Sequence, residues 1–305
     1  MEERYLRYNH LNEYLKSKFG ERTLKICIDA GFSCPNRDGT CGKGGCIFCG
    51  EKGSGEHLKP LPIKEQVENF FNSYKADRAN KFIIYFQNFT NTYGTIKELK
   101  NKYDSALIDK RIIGLQIATR PDCISEEIAK LISSYSNKYY VCVELGLQTS
   151  NDNTAKFINR GYFSREFTKA VSILRKYNID IVTHIMIGLP NENIDDLKNS
   201  INFINKHDIQ GIKIHSTYVI KNTKLADLYK ENKYIPISLN EYLESAIYVI
   251  THINPNLIIH RISGDAPKDL LIAPEWNLHK KLVLNGIDRI LKERNLYQGI
   301  YFKDY

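Results

Sequence analysis

The chain has 305 residues, 42% of them hydrophobic and 26% charged, enough for one large α/β domain or two modest ones. Its 43 basic and 35 acidic side chains leave a net charge of +8, which is compatible with a nucleic-acid partner without establishing one. No stretch reaches the roughly eighteen apolar residues of a membrane span, and the opening MEERYLRYNH lacks the apolar core of a signal peptide, so no membrane partner is expected and the cytoplasm is the expected compartment.

In chain order, the first predicted strand is Leu24–Ile28, followed at once by the glycine-rich loop GFSCPNRDGTCGKGGCIFCG at 31–50. Further strands are expected at Phe82–Phe86, Ile112–Ala118, Tyr140–Leu145, Ile181–Ile187 and Ile212–Tyr218, whose β-branched and aromatic content suits a buried parallel sheet. Helical patterns lie between them near Lys64–Tyr74, Thr95–Leu107, Ser125–Ser134, Ser164–Tyr177 and Asn193–Asn205, with Ser125 and Ser164 read as N-caps before acidic first turns. Such alternation implies right-handed βαβ units. The expected fold is α/β, a partial (β/α)6 TIM-like barrel; a doubly wound open sheet is the alternative. A helix over Leu239–Ile253, a strand at Leu257–Ile262 and a helix over His279–Arg294 form a C-terminal α/β extension. The expected divisions are 1–22 as an N-terminal helical extension, 23–230 as the core, and 231–305 as the extension packed on it. Ligand sites of such sheets gather at the C-terminal ends of the strands, where FQNFTNTY, TRPD, GLQ and GLP all fall.

Five of the seven cysteines lie between Cys27 and Cys49. Clustered cysteines in a cytosolic chain bind metal more often than they pair as disulfides. The pair Cys46-Ile-Phe-Cys49 has a common metal-binding spacing. On local features an iron–sulfur cluster, a zinc site made of Cys34, Cys41, Cys46 and Cys49, and a thioredoxin-like redox pair all stay open. Cys27, Cys123 and Cys142 read as small buried hydrophobes.

The run GFSCPNRDG…GGCIFCG resembles the cluster loop of the YhcC/YtqA-like branch of radical SAM proteins, where three ligands are spaced C-x11-C-x2-C. Cys34, Cys46 and Cys49 match that spacing. YFQNFTNTY at 85–93, ATRPDC at 118–123, ELGLQTS at 144–150, NRGY at 159–162, IGLP at 187–190, RISGDAP at 261–267 and IAPEW at 272–276 follow the branch in order. KIHSTYVIKNTKLADLY at 213–229 is similar to a segment of the elongator catalytic subunit's radical domain. The resemblance implies a 4Fe–4S cluster on Cys34, Cys46 and Cys49, with one iron open to the amino and carboxylate groups of S-adenosylmethionine. Cys41 becomes a bystander, or a fourth ligand if the site holds zinc.

By the same resemblance Arg160, twelve residues after Gln148, holds the cofactor's carboxylate; without it, Arg160 reads as a surface salt-bridge residue. Gln148 and His184 are expected near the ribose, although His184 stands where related enzymes carry an acid, and a satisfied core histidine is the competing reading. Glu144, within a strand, needs a partner or water there, which favours a cofactor or substrate role. Gln87 and Asn91 are the candidates for the methionine ammonium, and Gly188-Leu189-Pro190 for the adenine. Lys213, His215, Tyr218, Arg261 and Asp265 are the substrate-side candidates.

The expected activity is reductive cleavage of S-adenosylmethionine to a 5′-deoxyadenosyl radical, fed by a flavodoxin- or ferredoxin-type donor. The elongator likeness and the positive charge point to tRNA, at the step from carboxymethylaminomethyl- to aminomethyluridine at the wobble position. The alternatives are the same chemistry on a small molecule or peptide, and a zinc-stabilised RNA-binding protein without radical chemistry.

Overall fold

The computed structural model of the chain describes residues 6–53, 58 and 60–303. The first five and last two residues of the expected divisions lie outside the described residues. Seven strands form one parallel sheet: β1 (Thr23–Ile28), β2 (Lys81–Phe86), β3 (Ile112–Thr119), β4 (Tyr140–Gln148), β5 (Asp180–Ile187), β6 (Gly211–Ser216) and, after a short β7 (Val219–Ile220), β8 (Ile258–Arg261). Their spatial order is their chain order, β1-β2-β3-β4-β5-β6-β8. A doubly wound sheet reverses direction at a switch point, so that alternative is excluded.

Side-chain contacts show how far the sheet curls. Lys213 on β6 reaches the hydroxyl of Tyr85 on β2 at 3.0 Å. In a flat sheet those strands stand about 19 Å apart, four spacings of roughly 4.8 Å, beyond the combined reach of the two side chains. The sheet is therefore rolled into a half-barrel. No β1–β8 pairing closes it among the described residues.

Alternation along each strand separates two environments. Ile26 and Ile28, Ile84 and Phe86, Leu115 and Ile117, Val143 and Leu145, Ile181 and Ile185, and Ile212 and Ile214 point outward into one apolar core. The helices that cover them are α2 (Ile63–Phe71), α3 (Ile96–Ala106), α4 (Glu126–Ser133), α6 (Ser164–Lys176), α7 (Ile194–Asn205), α9 (Leu239–His252) and α10 (Lys280–Glu293). Two short helices, α5 (Asp152–Phe157) and α8 (Lys224–Lys230), escape a reading based on long amphipathic periods. The helix α1 (Leu11–Phe19) lies across the N-terminal end of the sheet. There Lys18 stands over the Tyr140 ring at 4.3 Å and 3.6 Å from Asp180, at the starts of β4 and β5.

Of three boundaries, one is as expected and two differ. Ser125 caps α4, accepting from the Ile128 N–H at 3.2 Å. Ser164, by contrast, is the first residue of its helix; its N–H donates to Asp152, and Phe163 holds the cap position with its own N–H on Glu166 at 2.8 Å. The sixth strand ends at Ser216 rather than Tyr218: the Thr217 N–H on the Ile187 carbonyl at 2.9 Å is the last bond of its ladder with β5, which itself stops at Ile187, and the chain restarts as β7, antiparallel to β9 (Leu271–Ala273). Among the described residues, no helix is long and apolar enough to cross a membrane.

Phe167 on α6 is fully buried, edge-on to His207 at 5.4 Å. Phe167→Ala is expected to lower unfolding free energy by about 3–5 kcal/mol, measured by urea titration with an unchanged m-value. A loss under about 1 kcal/mol would contradict this account of the outer core.

Candidate active site

At the C-terminal mouth of the half-barrel the loop after β1 folds back on itself. Cys34, Cys46 and Cys49 are half-buried residues of this loop, while Cys41 is exposed. Burial pushes the Cys46 thiol up to about 12, and the nearby Cys49 and Cys34 thiols push the same way, which places the three sulfurs in one electrostatic neighbourhood. Two side chains aim N–H groups at these sulfurs: Asn36 Nδ2 at Cys46 Sγ, 3.9 Å, and Arg120 Nη1 at Cys34 Sγ, also 3.9 Å. Among the described residues, no three His, Cys, Asp or Glu side chains close on a point that could hold a single metal ion.

The loop is held from outside by the NRGY segment. Asn159 Nδ2 donates to the Gly45 carbonyl at 2.7 Å, and the Asn159 carbonyl accepts from Asn36 at 2.6 Å. Gly161 has φ +81°, and a Cβ there would stand 2.8 Å from Asn36 Oδ1, so this position requires glycine on both counts. Arg37 staples the far side, donating to the carbonyls of Cys49 at 3.0 Å, Gly50 and Glu51.

Arg160 is fully buried rather than on the surface, although its Nη2 does stand 3.8 Å from the half-exposed Asp152 carboxylate, the ion pair that the residues alone suggested. Its Nε donates to Tyr162 O at 3.0 Å, and Nη1 donates to the carbonyls of Thr149 at 2.7 Å and of Leu147. Nη2 has no hydrogen-bond partner. Arg120, which the sequence reading missed, pairs with Asp122 and donates to the Arg160 carbonyl at 2.9 Å. The two guanidiniums lie 4.7 and 4.5 Å from the Tyr162 ring centre. Tyr162 in turn donates to Gln148 Oε1 at 3.1 Å and to the Gly146 carbonyl. Gln148 has φ +58° where β4 loses register with β5, a strained position that turns the strand end over the mouth.

Asn91 is wholly internal: its Nδ2 bridges the carbonyls of Phe86 and Ala118, at 3.2 and 2.8 Å, and ties β2 to β3. Gln87 follows β2 directly, its N–H on the Ile28 carbonyl at 3.2 Å. Gly188 has φ +83° and packs on Ile237; its carbonyl accepts from Tyr234 at 2.7 Å.

Below the mouth the inward positions of the strands are polar. Glu144 is fully buried, and its Oε2 accepts from Tyr85 at 2.6 Å, from Lys213 at 2.5 Å and sits 2.7 Å from His184 Nε2. Oε1 accepts from Gln116, and Lys25 lies 3.6 Å away. Burial opposes ionisation of Glu144, but Lys213, then Lys25 and His184, overcome it and hold the carboxyl well below the usual carboxylate range. Burial lowers Lys213 to about 8 against the pull of Glu144, with Lys25 and Arg261 adding like charge. Burial likewise lowers His184, and drives His215 well down with help from His184, Arg261 and Lys213. His215 packs 5.3 Å from His184, ring to ring. Cys27 faces this same polar interior rather than the apolar core, since Lys213, Lys25 and Arg261 act on its thiol. Arg261 ends β8 and meets Asp265 at 3.3 Å; the exposed Asp265 also meets Lys280. Tyr218 lies past the end of β6 against Gly264.

The structure thus brings Glu144, His184, Lys213, His215 and Arg261 together, and gathers Cys34, Cys46 and Cys49 above them with Gln148 at the rim. It sets Asn91 inside the scaffold and Asp265 at the edge. Lys25, Tyr85 and Gln116 escaped the sequence reading, although a polar residue at every second place of an otherwise apolar strand marks an inward face.

Residues 38–204 match the Radical SAM superfamily and residues 209–293 match the Radical_SAM C-terminal domain. The uncharacterized protein YtqA of Bacillus subtilis is 37% identical over 97% of this chain and 93% of its own length. YhcC of Escherichia coli is 32% identical over 92% of this chain and 91% of its own. The tRNA uridine(34) acetyltransferase of Dehalococcoides mccartyi is 27% identical over 66% of this chain and 43% of its own. Among solved structures, archaeal Methanocaldococcus infernus Elp3 superposes with a TM-score of 0.69 over 90% of this chain, at 17% identity; the chain spans 64% of that one.

Glu144→Gln leaves Lys213 and Lys25 buried without an anion and is expected to cost about 3–5 kcal/mol at neutral pH by denaturant titration. A loss within about 1 kcal/mol would mean that the network is effectively solvated. Lys213 loses its proton near 8 in the fold and near 10.5 when unfolded. The unfolded chain holds more protons in that window, so this group's contribution to stability rises with pH across it. The stability difference between wild type and Lys213→Met should move in favour of wild type from pH 8 to 10; a difference flat with pH would contradict the assignment.

Proposed function

The chain belongs to the radical SAM superfamily, in the branch of YtqA and YhcC, and on that footing we propose that Cys34, Cys46 and Cys49 hold its 4Fe–4S cluster, that it cleaves S-adenosylmethionine reductively, and that its substrate is a tRNA wobble uridine. Members of the superfamily bind that cluster and S-adenosylmethionine. The observation that carries the assignment is the placement of three half-buried thiols on one loop at the barrel mouth, with N–H donors aimed at two of them. Three soft ligands with hydrogen bonds to sulfur are the donor set of such a cluster. Cys41 is exposed while Cys34, Cys46 and Cys49 are half-buried, which favours three cysteine ligands over a four-cysteine zinc site.

When bound, these cofactors would supply one-electron chemistry, the reductive cleavage of the sulfur–C5′ bond of S-adenosylmethionine, with the electron drawn from an external flavodoxin- or ferredoxin-type donor. The chain supplies placement and exclusion of water. Asn36 and Arg120 donate toward the cysteine sulfurs, which raises the potential of the site they hold. Arg37, Asn159 and Gly161 fix the loop. Gln148, bent over the mouth and oriented by Tyr162, is the group placed to hydrogen-bond a ribose, with His184 on the next strand. Arg160 makes no hydrogen bond through Nη2, which stands 3.8 Å from the Asp152 carboxylate, while Nε and Nη1 are committed to the backbone, so a cofactor carboxylate at Nη2 would share it with Asp152.

The substrate reading rests on the likeness to a tRNA uridine(34) acetyltransferase and on the net charge of +8, and it names the step from carboxymethylaminomethyl- to aminomethyluridine. Anaerobic reconstitution of Cys34→Ala, Cys46→Ala and Cys49→Ala should each abolish cluster uptake and 5′-deoxyadenosine release, while Cys41→Ala retains both. Loss of metal in Cys41→Ala would favour the zinc-stabilised RNA-binding alternative. Incubation with tRNA bearing the carboxymethylaminomethyl group should yield aminomethyluridine on nucleoside mass spectrometry. Deoxyadenosine release with the nucleoside unchanged would move the substrate to a small molecule or peptide.

A further inference from the structure

Inside the half-barrel, cations outnumber anions. Lys25 on β1, Lys213 on β6 and Arg261 on β8 surround Glu144, the one fully buried carboxylate among the described residues. Lys213 is bound to it at 2.5 Å, but Lys25 is held no closer than 3.6 Å. His184 and His215 lie beside them as imidazoles that burial keeps neutral, and His215 Nε2 is buried with no hydrogen-bond partner. Arg261 has its one acid, Asp265, at the solvent edge and shared with Lys280.

A buried surplus of donors and positive charge calls for an anion. The inward side chains next to the mouth are only part-buried, at His184, Met186, His215 and Arg261, so the surplus is reached from the mouth while the helix end of the sheet is covered by α1. We infer that the barrel interior binds a terminal carboxylate of the substrate, met by Arg261 and His215 beside the fixed pair of Lys213 and Glu144, with Lys25 adding positive charge from β1. Burial lowers Lys213, His184 and His215, and the like charge of Lys25 and Arg261 on Lys213 adds to it. A carboxylate at the tip of a flexible arm can enter such a cleft, whereas a backbone phosphodiester is flanked by two riboses and cannot. The inference rests on the wobble-uridine reading above, whose carboxymethylaminomethyl group ends in a carboxylate, and it deepens that reading by naming the residues that recognise it.

The test uses reconstituted protein and fluorescence anisotropy. Three anticodon stem-loops are compared: one with carboxymethylaminomethyluridine, one with its methyl ester, and one with plain uridine. N-methylglycine, its amide and inorganic phosphate serve as small competitors. The acid should bind roughly tenfold tighter than the ester, and N-methylglycine alone should compete. Arg261→Gln and His215→Gln, checked for cluster content and circular dichroism, should each cut that preference to about threefold or less. Equal binding of acid and ester, or competition by phosphate and not by N-methylglycine, overturns the inference while leaving tRNA binding in place. If no stem-loop binds but N-methylglycine does and its amide does not, the carboxylate site stands and the tRNA reading falls.

Discussion

One buried carboxylate organises the interior. Glu144 has no route to water, so its charge must be met by protein, and the groups that meet it come from β1, β2, β3, β5 and β6. Strands that would stand some 19 Å apart in a flat sheet are drawn to a common point. The curl of the half-barrel and the polarity of its inside are therefore two aspects of the same arrangement. An apolar outer face packs on the helices while the inner face is left to chemistry, the reverse of a barrel filled with branched aliphatics.

The second constraint acts at the mouth. The cysteine loop has little regular structure of its own and takes its shape from neighbours: Arg37 within it, Asn159 and Gly161 from the segment after β4, and Arg120 after β3. Tyr162, between Arg120 and Arg160, links that frame to Gln148 at the end of β4. A disturbance of NRGY would reach both the sulfur ligands and the strand end, although none of its residues contributes a thiol.

Much of this was legible from residues alone. The βα alternation gave the parallel sheet in its order, because buried strands and their covering helices carry distinct periods. The cysteine spacing and the ordered short motifs carried the family. What escaped has physical causes. Short helices such as α5 and α8 lack the length for a periodic signal. The strand expected to run to Tyr218 stops where its ladder partner β5 ends at Ile187, and the residues beyond pair with β9 instead. Arg160 looked like a surface cation, since nothing in its flanks announces that four carbonyl and ring contacts bury it. Cys27 passed for a core hydrophobe because the inward face was not separated from the outward one; the alternation of Lys25 and Cys27 with Leu24 and Ile26 held that information.

The account's central claim is that a three-thiol loop at the mouth of a polar half-barrel holds a cluster to which S-adenosylmethionine binds directly. Electron paramagnetic resonance of the reduced, anaerobically reconstituted protein, recorded without and with S-adenosylmethionine, tests it most directly. The account predicts a 4Fe–4S signal whose g-values shift when S-adenosylmethionine is added. A protein that takes up one zinc and no cluster, or a cluster signal indifferent to S-adenosylmethionine, would contradict it.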